Sequence, residues 1–195
     1  MKIAVLGRGN VGGTLGRRWA EAGHEVTFGV LEVRTDDEAP LDRAVEDAEV
    51  VVFALPYGQL VPVGKSLGLE GKILVDCTNP IAPDFTGLIA MESSAAEELT
   101  TATGSPRVVK CFNTVGFNVM ADPDFDGRPV SMLLCGDDLD AKAVVEKLAS
   151  DLGFAPVDAG PLHQARWLEG MAWLWISMAM KHGHGREMAF IYERR

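Results

Sequence analysis

Residues 2–12 constrain the fold more than any other part of the chain. Lys2–Leu6 is an apolar run, the pattern of a parallel strand buried on both faces. It leads straight into Gly7-Arg8-Gly9-Asn10-Val11-Gly12, a GxGxxG turn. Val11, Leu15, Trp19 and Ala22 then recur at helical spacing, and Gly23 closes the helix. A strand that turns through three glycines into an amphipathic helix is the opening unit of a doubly wound sheet. Gly7 permits the tight turn, Gly9 lets a pyrophosphate approach the backbone, and Gly12 lets the helix pack on the strand. The helix start adds free N–H groups and a positive dipole end. Gly7, Arg8, Gly9, Asn10, Val11 and Gly12 are therefore the expected phosphate-binding residues of a dinucleotide site.

The rest of the chain continues the alternation. Strands are expected at residues 26–30, 49–55, 72–76, 107–112, 129–135 and 154–157. Residues 31–39 read as a polar loop. Helices are expected from Pro40, over 59–67 despite Pro62, over 93–101, and over 138–152. The 138–152 helix is expected to turn Leu139, Ala143, Leu148 and Leu152 inward. A last helix over 162–180 is apolar nearly all round. Strand and helix in alternation with short joints predict an α/β fold, a mostly parallel Rossmann-type sheet followed by C-terminal helices. Ligands of such sheets lie beyond the carboxyl ends of the strands, here the loops after Leu6, Leu55, Asp76 and Phe112.

Composition narrows the partners. Net charge is −10, from 18 basic and 28 acidic residues, which argues against nucleic acid. No stretch is apolar for long enough to span a bilayer, so a soluble protein without membrane contact is expected. Cys77, Cys111 and Cys135 are scattered within apolar runs and show no CxxC spacing. That pattern fits reduced core thiols in the cytoplasm. His182-Gly183-His184-Gly185 has no carboxylate or cysteine at ligand spacing, so no metal site is expected.

Cofactor choice turns on the second strand. It ends Thr27-Phe28-Gly29-Val30, without the carboxylate that usually accepts the ribose hydroxyls of NAD. The absence favours NADP, with Arg8 and Arg34 as the cations for the 2′-phosphate. NAD stays open, because Glu32 would act the other way if the loop folds it inward.

The chain resembles the NADP-dependent coenzyme F420 reductases, the deazaflavin:NADP oxidoreductases and their bacterial relatives. The residues that carry the resemblance are GRGNVGGTLG, VFALPYGQ, GKILVDCTNP, VVKCFNTVG, VMADPDFDG, LLCGDD, LGFAPVDAGPL and RWLEGMAWLWI, in order over nearly the whole chain. The resemblance implies hydride transfer between nicotinamide and a deazaflavin or other flavin-like acceptor stacked against it. The cofactor's nicotinamide half would rest near Ala54, Leu55, Pro56, Thr78, Asn79 and Pro80, with Gly29 at the adenosine side. The acceptor would lie near Asn113, Thr114, Val115, Gly116 and Gly170. Residues 1–158 would form the dinucleotide-binding domain and 159–195 a helical extension of the same globule.

The chain departs from the family pattern twice. Val30 and Leu31 stand where members usually carry a Ser and Arg that grip the 2′-phosphate. The stretch after the second strand has room for one helix only, so the outer strand that normally follows is expected to be missing. Gly170 and Ala172 replace hydroxyl residues of the archaeal type.

No catalytic side chain is identified, since two flat rings held face to face need positioning more than acid–base chemistry. Trp167, Trp173 and Trp175 lie with Met171, Met178 and Met180 on the last helix, which fits a homodimer contact better than a cofactor wall. An NADPH-dependent reductase of a small imine or carbonyl, and a non-catalytic dinucleotide-binding sensor, are the alternative readings.

Overall fold

In the computed structural model, residues 1–89 and 92–195 are described. The elements in chain order are β1 (Lys2–Leu6), α1 (Asn10–Glu21), β2 (Glu25–Val30), β3 (Glu38–Pro40), α2 (Leu41–Glu46) and β4 (Val50–Phe53). Next come α3 (Tyr57–Ser66), β5 (Ile73–Asp76), α4 (Ala95–Thr103), β6 (Val108–Lys110) and α5 (Phe117–Ala121). A small ribbon, β7 (Asp124–Phe125) and β8 (Arg128–Pro129), precedes β9 (Ser131–Gly136), α6 (Leu139–Asp151) and β10 (Ala155–Asp158). The chain closes with a short turn of 3₁₀-helix and α7 (Ala165–Lys181).

The main sheet has the order β10-β9-β6-β5-β4-β1-β2-β3. All neighbours run parallel except β6 and β9, so the last two strands point the other way. Winding reverses at β1, which pairs with β2 on one side and β4 on the other.

Side-chain alternation along β1 splits the core in two. Ile3 and Val5 face α1, α5 and α6, together with Leu15, Trp19, Met120 and Leu148. Ala4 and Leu6 face α2, α3, α4 and α7, together with Val45, Leu60, Leu99 and Leu168. Both sheet faces are covered, which is why the central strands read as unbroken apolar runs. No described helix is long and apolar enough to cross a membrane.

Two expectations need correction. The outer strand is present: β3 pairs with β2 in the register Phe28↔Glu38, Gly29↔Ala39, Val30↔Pro40. Three residues, one of them proline, carry no periodic signal, and at the sheet edge the missing N–H of Pro40 leaves no ladder partner unpaired. What the chain lacks is a helix between β2 and β3, which residues 31–37 cross as a loop.

The second correction concerns α6, which buries Ala141, Val145, Leu148 and Ala149, while Leu139 is 74% exposed and Ala143 is also on the surface. Asp138 caps the helix, its side chain accepting from Ala141 N–H at 2.7 Å. That cap sets the rotation of the helix and leaves Leu139 outward.

Candidate active site

The glycine turn is built as its spacing demands. Gly7 has φ +97°, and a Cβ there would lie 2.6 Å from the Ala54 carbonyl oxygen. Gly7 N–H donates to Gly29 O at 3.0 Å, and Ala54 N–H to Leu6 O at 3.0 Å, so β2, β1 and β4 meet at this turn. A Cβ on Gly12 would lie 2.1 Å from Gly7 O and 2.9 Å from Ala54 Cβ, so only glycine allows α1 this close. Gly9 differs: nothing lies within 4 Å of its Cβ position. The open space is on the outer side of the turn, at the start of α1, where a phosphate would approach. Asn10 and Val11 open that helix.

A groove of about 950 Å³ runs from this turn along the ends of β2, β3 and β4. Gly7, Arg8, Gly29, Arg34, Leu55 and Pro56 all line it, so these sequence-selected residues share one cleft. The two arginines meet carboxylates there. Arg34 pairs with Glu32 at 2.6 Å on the surface. Arg8 binds Asp37 through two 2.8 Å hydrogen bonds and Glu38 at 2.7 Å, with its guanidinium 4.4 Å above the Phe28 ring.

On the other side of β4 the ends of β5 and β6 carry Thr78-Asn79-Pro80 and Asn113 to Gly116. Asn79 Nδ2 donates to Asn113 O at 3.1 Å, and Asn113 Nδ2 donates to Asn79 Oδ1 at 3.0 Å. The two expected half-sites are thus joined side by side. Phe112, just before Asn113, is fully buried with φ +57°, a left-handed conformation that an aromatic residue rarely adopts. Such strain is concentrated at functional loops. Thr78 Oγ1, Asn113 Oδ1, Thr114 Oγ1 and Asn118 Oδ1 are buried with no hydrogen-bond partner among the described residues. Val115 turns its side chain into the core beneath. Gly116 is covered: a Cβ there would meet the Trp175 ring at 2.6 Å. Gly170 faces open space.

Three residues that sequence reasoning did not select lie directly beneath. Lys110 Nζ donates to Asp76 Oδ2 (2.8 Å), Glu169 Oε1 (2.7 Å) and Thr78 O (2.6 Å), all buried. Burial alone would push the Lys110 ammonium down, but the charges and hydrogen bonds of Asp76 and Glu169 outweigh it and hold it above the ordinary lysine value. Burial raises the Glu169 carboxyl against the pull of Lys110. Glu169 also accepts from Ala95 N–H at 3.0 Å, so this cluster ties α7 to β5, β6 and α4. Arg166 adds an outer clamp to Glu97, whose carboxyl that guanidinium lowers to about 2. The available signal was three charges standing in apolar runs: LVDC, RVVKCF and the otherwise apolar last helix.

The cysteines are buried thiols, and burial pushes Cys135 up to about 12. They are poor nucleophiles in that state.

A Rossmann-type sheet with a glycine turn packed on β4 where the winding reverses defines a dinucleotide-binding class of protein. Residues 2–80 match the family model described as NADP oxidoreductase, coenzyme F420-dependent. A crystal structure from Arthrobacter sp. FB24, provisionally assigned as an F420-dependent NADP reductase, superposes with a TM-score of 0.86. It shares 30% identity, with 100% of both chains covered.

The F420-dependent NADP reductase of Methanocaldococcus jannaschii is 32% identical over 149 residues, which cover 71% of this chain and 66% of that one. The metalloreductase STEAP3 of Rattus norvegicus is 33% identical over 182 residues, 87% of this chain but only 36% of the relative. The chain therefore spans about a third of the one relative and 66% of the other. It belongs to the family of coenzyme F420-dependent NADP oxidoreductases.

Proposed function

We propose that the chain binds NADP(H) in the groove beside the glycine turn and exchanges a hydride with a deazaflavin, coenzyme F420, or another flavin-like acceptor. The observation that carries this reading is the group of buried, unpartnered side-chain atoms on Thr78, Asn113 and Thr114. Unsatisfied buried polar atoms are rare, and those after β5 and β6 and on Asn118 are groups that a bound ligand would satisfy as it orders these loops. The glycine turn supports it independently, since the open approach at Gly9 suits a pyrophosphate.

When bound, the nicotinamide supplies or accepts the hydride. The chain's own residues then do positional work. Gly9 and the α1 N-terminus hold the phosphates, and Ala54, Leu55 and Pro56 form a wall on the β4 side. Asn79 and Asn113 brace each other and so fix the two loops that carry Thr78 and Thr114. Gly170, with nothing within 4 Å of its Cβ position, leaves room on α7 for a flat acceptor.

The assay is the absorbance of oxidised deazaflavin mixed with NADPH, run beside NADH and FMN. Bleaching with NADPH and deazaflavin is the expected result. Tight dinucleotide binding without turnover on any flavin-like acceptor would refute the acceptor assignment.

Thr114→Val provides a sharper check. Replacing an unpartnered buried hydroxyl by a methyl of the same shape leaves stability unchanged or raised. Turnover should nevertheless fall by about tenfold, the worth of one lost hydrogen bond to a ligand. Thermal unfolding and steady-state kinetics of the same sample decide the point, and unchanged turnover would count against a ligand role.

The family reading extends to a cytoplasmic homodimer joined through α7. Trp167 (71% exposed) and Leu174 (51%) stand seven residues apart on one face of this helix and offer a second copy two large apolar side chains. Sedimentation should show a dimer for the wild type and a monomer for Leu174→Glu. A monomeric wild type would exclude this contact.

A further inference from the structure

The adenosine end of the groove holds a cation that is already fully engaged. Arg8 stands in the glycine turn where a guanidinium would meet a 2′-phosphate. Phe28 supports it from below, and Phe28 itself fits only because Gly16 lacks a side chain: a Cβ there would lie 2.4 Å from the ring. On its open side, Arg8 meets Asp37 in a two-point pair, Glu38 at 2.7 Å and Thr35 Oγ1 at 2.6 Å. This is the geometry a guanidinium adopts around a phosphate, filled by the protein's own carboxylates.

The two carboxylates are held differently. Glu38 is nearly buried, its side chain 8% exposed, and its second oxygen accepts from the N–H groups of Arg34 (2.6 Å) and Thr35 (3.2 Å). Asp37 is 45% exposed at the end of the 31–37 loop. Hydrogen bonds from Thr35 and Arg8 hold its carboxyl below the usual range, so it is ionised at neutral pH. Two negative charges therefore face one guanidinium, and the cation has no charge left for an incoming dianion. A dinucleotide with a free 2′-hydroxyl leaves this arrangement intact. One with a 2′-phosphate must displace Asp37 and stay close to Glu38.

We infer that Asp37 and Glu38 are specificity-determining residues that act as internal substitutes for the 2′-phosphate on Arg8 and hold down the preference for NADP over NAD. The inference rests on the dinucleotide reading above and deepens it. In this chain discrimination is weak because Arg8 is opposed, even though an arginine is present. The short crossing from β2 to β3 is what makes the opposition possible, since it brings the 37–38 pair back onto the turn.

The test is calorimetric titration of wild type, Asp37→Asn and the Asp37→Asn/Glu38→Gln double variant with 2′,5′-ADP, 5′-AMP, NADP⁺ and NAD⁺. Both substitutions keep the shape and lie on a loop and an edge strand, and Asp37→Asn alone avoids the Glu38 contacts that order the loop. The expected result is an affinity gain for 2′,5′-ADP and NADP⁺ of about tenfold, with 5′-AMP and NAD⁺ within about twofold. Arg8→Met should erase that gain in the double variant. Equal gains for all four ligands would mean a general charge effect and overturn the inference, as would no change in any variant. An Arg8→Met protein that keeps the gain would overturn it too. Failure of every form to bind either dinucleotide would instead refute the dinucleotide reading, and this inference with it.

Discussion

Gly9→Ala should fold as stably as the wild type and lose dinucleotide affinity by about a hundredfold or more, whereas Gly12→Ala should lose both stability and affinity. Gly9 has φ −73° and ψ −165°, a conformation open to alanine, and nothing lies within 4 Å of its Cβ position. A methyl there obstructs only what approaches from outside. Displacing a phosphate by about 1 Å from the N–H groups of α1 is enough for an effect of that size. At Gly12 the added methyl would sit 2.1 Å from Gly7 O. Strand and helix must then move apart, at a cost of about 1–3 kcal/mol for overpacking. Urea unfolding and dinucleotide titration on both variants separate the two effects. A stable Gly9→Ala protein with wild-type affinity would mean the turn holds no phosphate.

Lys110→Met should be the most damaging single change outside the turn. It leaves Asp76 and Glu169 buried without their shared ammonium, which costs about 3–5 kcal/mol. In a chain of this size that corresponds to a fall in Tm of about 10 °C. In the wild type the Lys110 pKa is raised, so its contribution is complete below about pH 10.4 and is lost as pH rises through the folded value. Without Lys110 the buried Glu169 carboxyl, already raised by burial, keeps a proton that the unfolded chain releases near pH 4. Stability of the variant should therefore fall more steeply than that of the wild type as pH rises from about 5 to 8. The tryptophans of α7 report the loosening directly, because Glu169 is that helix's buried anchor. A variant as stable as the wild type at every pH would show that the cluster does not hold α7.

The parts of the fold visible in the sequence are those written in consecutive residues. The strand, glycine turn and helix over residues 2–21 need no distant partner to be recognised, and the apolar runs ending at Phe53 and Asp76 stand out because both faces are buried. The strand β3 escapes detection because Glu38-Ala39-Pro40 is defined only by its pairing with β2. The rotation of α6 follows its cap rather than its apolar count, so Leu139 and Ala143 point outward. Within the site, the glycine turn is legible, and Asn79 and Asn113 are expected in adjoining half-sites, but the hydrogen bonds that bridge them are not. The Lys110 cluster draws on three separated segments, and the Asp37–Arg8 pair depends on a loop closing back onto the turn. Sequence spacing carries no direct record of either.

The most direct measurement is a single-turnover reaction with NADPH carrying deuterium at the transferable position of nicotinamide C4, followed by mass spectrometry of the reduced deazaflavin. The proposed function predicts one deuterium in the acceptor, carried there across the loops after β5 and β6 that Asn79 and Asn113 join. A protein that binds NADPH, leaves the deazaflavin free of deuterium and bleaches no other flavin-like acceptor would contradict a hydride-transfer role for this site.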